Sequence, residues 1–503
     1  MGAYALESSA PAFAVARKQF EGIVRWLDGA EAAELTHGDL EARLQVDGRE
    51  LFRQLMQDHL DLRAEREVRL EDVVGADDVR RGNVESGHAR ALRTVFGEVN
   101  VTRKAYRKPG HANLHPLDGG LNLPVEKHSH GLRKLAAIES ARGSFEGAAE
   151  AIERVTGRPL GKKQLRLLVQ RAAQDFEAFY EQRSRHLSLA SDLLVLSCDG
   201  KGIVMRPEAL REATRRAAQQ ATTKLQTRLS KGEKRNRKRM AEVGAVYDCT
   251  PVVRSPADVL SGGEGKDDRS VERPTARAKW LVASVVENAR EVVAKVFDEA
   301  QRRDPVQRRQ WVVLVDGLNH QIDCIEAEAR ERERDVVILI DFIHVLEYLW
   351  KAAWCFFDEG DPEAEKWVHG HAFTILRGRS SDVAGAIRRK ATCLGLAEGD
   401  RKGANKCADY LINKRPYLDY ATALERGWPI ATGVIEGACR HIVKDRMDLT
   451  GARWGLDGAE AVLEIRALRS NGDFDTYWPF HLRREHERIH EDRYAKPVSA
   501  PPP

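Results

Sequence analysis

Three short apolar runs in this chain end at, or lead into, a carboxylate beside a glycine: Val195-Leu-Ser-Cys-Asp199-Gly, Trp311-Val-Val-Leu-Val-Asp316-Gly and Gly433-Val-Ile-Glu436-Gly. An acid at the end of a buried strand is held rigidly. Acids from distant segments that converge offer the hard oxygen ligands preferred by Mg²⁺ or Mn²⁺. Two such ions activate a hydroxyl nucleophile and stabilise the leaving oxygen at a phosphodiester. The residue types therefore point to metal-dependent phosphoryl transfer, with Asp199, Asp316 and Glu436 as catalytic groups and as ligands of two Mg²⁺ (or Mn²⁺) ions. Asp341 also closes an apolar run, Val336-Val-Ile-Leu-Ile, and is the alternative second ligand; otherwise Asp341 and His344 support the ligands from behind or position DNA.

The elements that must carry these acids follow from the pattern. Leu193 to Cys198, Val243 to Tyr247 and Lys279 to Val285 read as strands, Asn288 to Arg302 as a helix, Trp311 to Val315 as a strand, Gln321 to Arg334 as a helix and Val336 to Ile340 as a strand. The order β-β-β-α-β-α-β predicts a mixed sheet with helices on its faces, the order of a ribonuclease H-like core. In that order Asp316 ends the fourth strand, beside the first, and Asp341 ends the fifth. Glu436 arrives after a helix-rich stretch, His344 to Arg426, whose Trp350, Trp354, Phe356, Phe357 and Trp367 predict an aromatic core. On its helix Glu436 shares a face with Arg440 and Lys444, so that these two and Arg446 grip backbone phosphates; the plainer alternative is a surface ion pair.

Upstream, Ala12 to Glu67 is helical, with Phe20, Ile23, Val24 and Leu27 as one packing stripe and Leu51, Leu55, His59 and Leu60 as another. Thr94 to Arg107 alternates about a Gly97-Glu98 turn and predicts a β-hairpin. Ser144 reads as a helix cap, Gly157 as a stop, and the helix that follows opens with Lys162, Lys163 and Arg166. This is either a helix-turn-helix that meets DNA or an ordinary helical hairpin. The basic stretch 205–240 predicts a helical excursion in which Lys234, Arg235, Arg237, Lys238 and Arg239 contact a polyanion; the alternative is a solvated insertion. The layout expected is a helical region over 1–90, a hairpin and loop over 91–125, a DNA-binding region over 126–190, the first part of the catalytic core over 191–345, a helical insertion over 346–430, the rest of the core over 431–490 and a disordered tail over 491–503. The fold class is thus mixed α/β (α+β), a ribonuclease H-like core with an α-helical insertion behind a mostly helical DNA-binding region.

Composition narrows the classes. With 503 residues the chain holds several domains. The net charge is only +4 although 31% of residues are charged, so a nucleic-acid surface must arise from local segregation of sign. Seven scattered cysteines without a Cys-x-x-Cys pair suit a reduced cytosol rather than a disulfide or zinc framework. No secretory leader or membrane-spanning run is expected, which points to a cytoplasmic protein. Cys355, His369 and His371 lack a fourth zinc partner, Trp454 reads as a buried indole or a base-stacking one, and no phosphate-cradling P-loop occurs.

Four blocks carry a resemblance. Cys198-Asp-Gly, Val315-Asp-Gly-Leu-Asn-His, Ile340-Asp-Phe-Ile-His-Val-Leu-Glu-Tyr-Leu-Trp and Gly433-Val-Ile-Glu-Gly-Ala-Cys-Arg-His-Ile-Val-Lys-Asp-Arg-Met resemble those of bacterial DDE transposases of the ISKra type of insertion sequence, and the Phe96-Gly-Glu-Val hairpin extends the likeness upstream. The resemblance implies a ribonuclease H-like catalytic domain with a helical insertion before the last acid, and an N-terminal region that recognises terminal inverted repeats. It also implies the triad Asp199, Asp316 and Glu436, with Asp341 as the alternative, double-stranded DNA as partner, and a homodimer or higher oligomer that works at the nucleoid. Two other classes share parts of this pattern: a structure-selective or defence nuclease, which cuts without joining, and a domesticated DNA-binding protein without catalysis.

Overall fold

The computed structural model describes residues 12–183, 191–221, 225, 227, 229–230, 233, 235–260, 272–449 and 451–496. The chain divides into two compact units, one of residues 1–182 with 472–503 and the other of residues 183–471.

In the first unit, α1 (Ala14–Leu27) and α2 (His37–Glu65) precede a hairpin of β1 (Asn83–Thr94) and β2 (Gly97–Arg107). The strands pair antiparallel from Asn83↔Arg107 to Thr94↔Gly97, with a bulge between Glu85 and His88. The turn is Val95-Phe96, two residues before the predicted Gly97-Glu98. Thr94 fixes it there, because its Oγ1 donates to Gly97 O at 2.8 Å and accepts from Phe96 N at 3.2 Å. The sheet side of β2 is buried at every second residue, and Leu60, Leu92, Val99 and Val101 form one small core. The stripe expected on α1 is largely exposed instead, with Phe20 at 56% and Val24 at 46%; the residue that α1 buries is Ala16.

Three helices follow, α3 (His130–Arg142), α4 (Phe145–Thr156) and α5 (Lys162–Ala173), then the short α6 (Phe176–Gln182). Ser144 caps α4 by accepting Gly147 N at 3.0 Å, and Gly157 ends it at φ 68°, a conformation that favours glycine. The helix Phe474–Ile489 belongs to this unit and not to the sheet: Tyr477 Oη donates to Ala172 O at 2.6 Å, and His481 Nδ1 lies 2.7 Å from Asp175 Oδ2. The predicted tail starts too early as well, since Glu491–Arg493 form a helical turn and Tyr494 bridges to Gly75; residues 497–503 lie outside the described residues.

Four histidines in this unit, His115, His128, His130 and His490, have pKa values lowered chiefly by burial. For His130, burial and then Arg133 lower it from 6.5 to about 4. The unfolded chain binds these protons near pH 6.5 and the folded unit only at lower pH, so acid favours the unfolded state. The melting temperature of this unit should fall as pH drops from about 6.5 toward 4. A flat profile across that window would contradict the burial of these rings.

The second unit is built on a five-stranded sheet: β3 (Leu193–Val204), β4 (Lys238–Cys249), β5 (Ala276–Ser284), β6 (Trp311–Val315) and β7 (Val337–Ile340). The strand order is β5-β4-β3-β6-β7. Neighbours β3/β4 and β4/β5 are antiparallel, while β3/β6 and β6/β7 are parallel. All five residues of β6 are buried, as expected for a parallel strand covered on both faces. Helix α7 (Ala289–Arg303), which opens with an Asn288/Glu291 capping box, packs so closely on β4 that a Cβ on Gly244 would lie 2.4 Å from Val296 Cγ2. Helix α8 (Asn319–Glu331) joins β6 to β7.

Beyond β7 come α9 (Phe342–Ala353), α10 (Pro362–Leu376), α11 (Ser380–Cys393), α12 (Lys402–Asn413) and α13 (Tyr420–Glu425). Their core is mostly small and aliphatic, with Leu349, Ala352, Ala372, Ile375, Ala384, Ile387, Cys407 and Leu411 buried; Phe342 and Tyr420, edge-on at 5.3 Å, are buried rings, but the five expected ones are not buried. Helix α12 crosses α9 at Gly403, where a Cβ would sit 2.3 Å from Lys351 O, and so close a crossing leaves no room for indoles. The expected rings go to the rim. Trp354 is 47% exposed and stacks on Trp350 at 5.2 Å, and Phe357 lies under the Lys390 ammonium at 4.2 Å. The chain then returns to the sheet as α14 (Gly433–Ala438), a π-helical segment Cys439–Lys444, a last turn Asp445–Met447 and α15 (Leu456–Ser470).

Candidate active site

Strand register places the first acids. Parallel pairing of β3 with β6 includes Ser197↔Leu314, two residues before Asp199 and Asp316, and that of β6 with β7 ends at Val315↔Ile340, one before Asp316 and Asp341. Side chains alternate faces along a strand, and neighbouring strands lie about 4.8 Å apart. Asp199, Asp316 and Asp341 therefore line up on one face across three adjacent strands, Asp199 within β3 and the other two just beyond the ends of β6 and β7. Asp199 is not a strand terminus as the sequence suggested. β3 continues to Val204 because β4 pairs with it throughout, from Leu193↔Cys249 to Val204↔Lys238, while β6 stops short.

The three acids differ in their surroundings. Asp199 is half-buried; its Oδ1 accepts Gly200 N at 2.6 Å and its Oδ2 lies 3.2 Å from Cys439 Sγ. Burial and the neighbouring Asp199 carboxylate push the Cys439 thiol far above its ordinary pKa, so it is a protonated donor. Asp316 is also half-buried, and its Oδ1 accepts Leu318 N at 3.0 Å. The next residue, Gly317, has φ 93°, and a Cβ there would lie 2.6 Å from Tyr410 Oη, which donates to Asp316 O at 3.2 Å. Glycine is required by both conformation and space. Asp341 is 2% exposed and its oxygens already accept from Ile343 N and from Thr432.

Glu436 reaches this rim from α14. It is exposed, and Cys439, one helical turn further on, is the residue in contact with Asp199. Glu436 Oε1 is 3.5 Å from Thr432 Oγ1, whose hydroxyl also meets Asp341 Oδ2. Glu436, Arg440 and Lys444 are all exposed, as a shared face requires. From Cys439 the helix takes i→i+5 bonds, which widen each turn, and Arg440 turns to Asp445 at 3.9 Å.

Other candidates divide sharply. Arg446 is 2% exposed with its guanidinium 4.7 Å from the Trp454 ring centroid, and burial lowers its pKa to about 10, so it does not grip phosphate. Trp454 is buried too, its indole donating to Met447 O at 3.0 Å. Among the described residues of the basic stretch only Glu212–Gln220 forms an α-helix, and Lys238 and Arg239 begin β4. Arg239 is bound to the carbonyls of Val285, Ala209 and Val286 and serves the fold. Arg235, Arg237 and Lys238 are exposed, while Lys234 lies outside the described residues. In the first unit Lys162 is ion-paired with Glu146 at 2.8 Å, Lys163 is exposed and Arg166 half-buried. His344 is half-buried, edge-on to Tyr348 at 5.9 Å.

Sequence reasoning missed Cys439, Thr432 and Tyr410. The first two flank Glu436 within one turn and were detectable by helical spacing; Tyr410 lies 94 residues from Asp316 and gives no signal. Glu242 is a further acid near Asp199, and burial raises its pKa, but it pairs with Gly200 and so occupies the opposite face. Among the described residues no group of three His, Cys, Asp or Glu side chains forms a ready metal cage, and no helix is long and apolar enough to cross a membrane. No protein-family model matches the chain, and neither does any curated protein.

Proposed function

We propose that the chain is a DDE transposase that binds the terminal inverted repeats of an insertion sequence and catalyses metal-dependent DNA cleavage and strand transfer. The observation that carries this reading is the convergence on one rim of Asp199 and Asp316, side by side in register, with Glu436 one turn from the thiol that touches Asp199. A ribonuclease H-like core is supported by the order β5-β4-β3-β6-β7, three antiparallel strands followed by two parallel ones, with the helical insertion between β7 and the last acid.

The donor set is all oxygen and suits Mg²⁺ or Mn²⁺. Asp199, Asp316 and Glu436 would hold two such ions, which would supply Lewis-acid activation of the attacking water or DNA 3′-hydroxyl and of the leaving oxygen. Asp199 and Asp316 are fixed by strands and hold their oxygens at constant spacing. Glu436 stands on the separate α14 and closes the site from the side. Arg235, Arg237, Lys238 and Lys444 in this unit, and Lys163 in the other, are exposed cations for the DNA backbone. The protein acts as a homodimer or higher oligomer when two DNA ends are joined to a target.

The test is a strand-cleavage and strand-transfer assay with purified protein and labelled DNA carrying the element's ends, with and without Mg²⁺. Joined products that need Mg²⁺ are expected. Cutting without joining indicates the nuclease, and salt-sensitive binding with no chemistry indicates a DNA-binding protein alone.

A further inference from the structure

The acid row is tied to α14 by hydrogen bonds that none of the ligand assignments uses. The backbone N–H of Asp341 donates to Val315 O at 2.8 Å, the carbonyl just before Asp316. Asp341 Oδ1 accepts the N–H of Ile343 at 2.8 Å, and Oδ2 accepts both the N–H of Thr432, at 3.2 Å, and the Thr432 hydroxyl. Thr432 is 5% exposed and occupies the N-cap of α14, yet its side chain does not cap the helix. It faces back to Asp341. The Thr432 carbonyl accepts from Ile435 N at 3.0 Å and from Glu436 N at 3.1 Å. An unbroken path of bonds thus runs from the strand carrying Asp316, through Asp341 and Thr432, to the backbone of Glu436.

We infer that Asp341 and Thr432 are a positioning pair that fixes Glu436 relative to Asp316, and that Asp341 is not itself a metal ligand. The inference rests on the phosphoryl-transfer reading of the site. Three donors already converge on the buried Asp341 carboxylate, which leaves it little capacity for a cation. The Thr432 hydroxyl has one proton and gives it to Asp341. Glu436 Oε1, at 3.5 Å, is the more distant acceptor of that hydroxyl and keeps its capacity for a cation. Buried polar networks whose members are all bonded are stiff, so the pair holds α14 at one distance from the sheet.

The test is Mn²⁺ binding to the full chain, followed by electron paramagnetic resonance, together with the Mn²⁺ dependence of cleavage. Thr432→Val keeps the shape and removes the hydroxyl; Thr432→Ser keeps the hydroxyl. Loss of a group that orients a ligand lowers metal affinity about 10- to 100-fold, so Thr432→Val should weaken Mn²⁺ binding by about tenfold or more and Thr432→Ser by less than about twofold. Asp341→Asn should also weaken binding about tenfold while the number of ions bound stays the same as in wild type, which does not depend on the valine variant folding. Wild-type affinity in Thr432→Val, equal losses in the valine and serine variants, or one ion fewer in Asp341→Asn would each overturn the inference. A wild-type protein that neither binds Mn²⁺ nor cuts DNA would overturn the transposase reading instead.

Discussion

Asp199→Asn, Asp316→Asn and Glu436→Gln should each reduce Mg²⁺-dependent strand cleavage by on the order of 10³-fold or more, because losing a ligand forfeits several kcal/mol of charge stabilisation in the transition state. Each change removes a charge and keeps the shape. Asp199 and Asp316 stand on strands whose pairing does not involve their side chains, and Glu436 is exposed, so the fold should survive all three. Binding of DNA ends, measured by a mobility shift without metal, should stay within about twofold, since the exposed lysines and arginines are untouched. Undiminished cleavage by Asp316→Asn, with loss in Asp341→Asn, would move the second ligand to Asp341 and would also undo the positioning role of the Asp341–Thr432 pair.

The largest stability effect is expected in the other unit, at Arg133. This guanidinium is fully buried and bonds Glu126 Oε1 through Nε at 3.0 Å and Nη2 at 2.5 Å; Nη1 is 2.8 Å from Glu485 Oε2 and 3.0 Å from His481 Nε2. His481 in turn meets Asp175, which Arg488 also holds at 2.7 and 3.1 Å. One cation therefore serves two acids and an imidazole drawn from two distant parts of the chain, Glu126 and the helix Phe474–Ile489. Arg133→Leu leaves those acids buried without it and should cost about 3–5 kcal/mol, read as a shift of the unit's urea transition. Arg133→Lys should recover only part of this, because an ammonium cannot reproduce the planar fork. A loss below about 1 kcal/mol in Arg133→Leu would show that the network contributes little.

The sheet was legible because β6 and β7 are short apolar runs bounded by charge and glycine, and because the Asn288 cap marks the start of α7. What was not legible has physical causes. The far half of β3, Gly200-Lys-Gly-Ile-Val204, holds two glycines and a lysine, and β4 opens with Lys238 and Arg239, so no apolar alternation betrays their pairing from Gly200↔Glu242 to Val204↔Lys238. The charges of Arg239 and Arg446 suggested DNA contacts, yet carbonyls at Val285 and Val286 and the ring of Trp454 take them up, and for Arg239 no local pattern announces a partner 46 residues away. The helix Phe474–Ile489 was assigned to the catalytic part by position, whereas its buried Tyr477 and His481 find their partners some 300 residues earlier. The adjacency of the strands that carry Asp199 and Asp316 was legible, but the contacts that join α14 to them were not. Helical spacing put Glu436, Arg440 and Lys444 on one face, and all three are exposed, but the bond from Cys439 to Asp199 that brings Glu436 to the rim is visible only in three dimensions.

The most direct measurement is anomalous diffraction from crystals of the protein bound to DNA ends and Mn²⁺. Two anomalous peaks ligated by Asp199, Asp316 and Glu436, with Asp341 still bonded to Thr432, are the result this account expects. Ions held elsewhere, or a site in which Glu436 stays out of reach of the metal bound to Asp199, would contradict it.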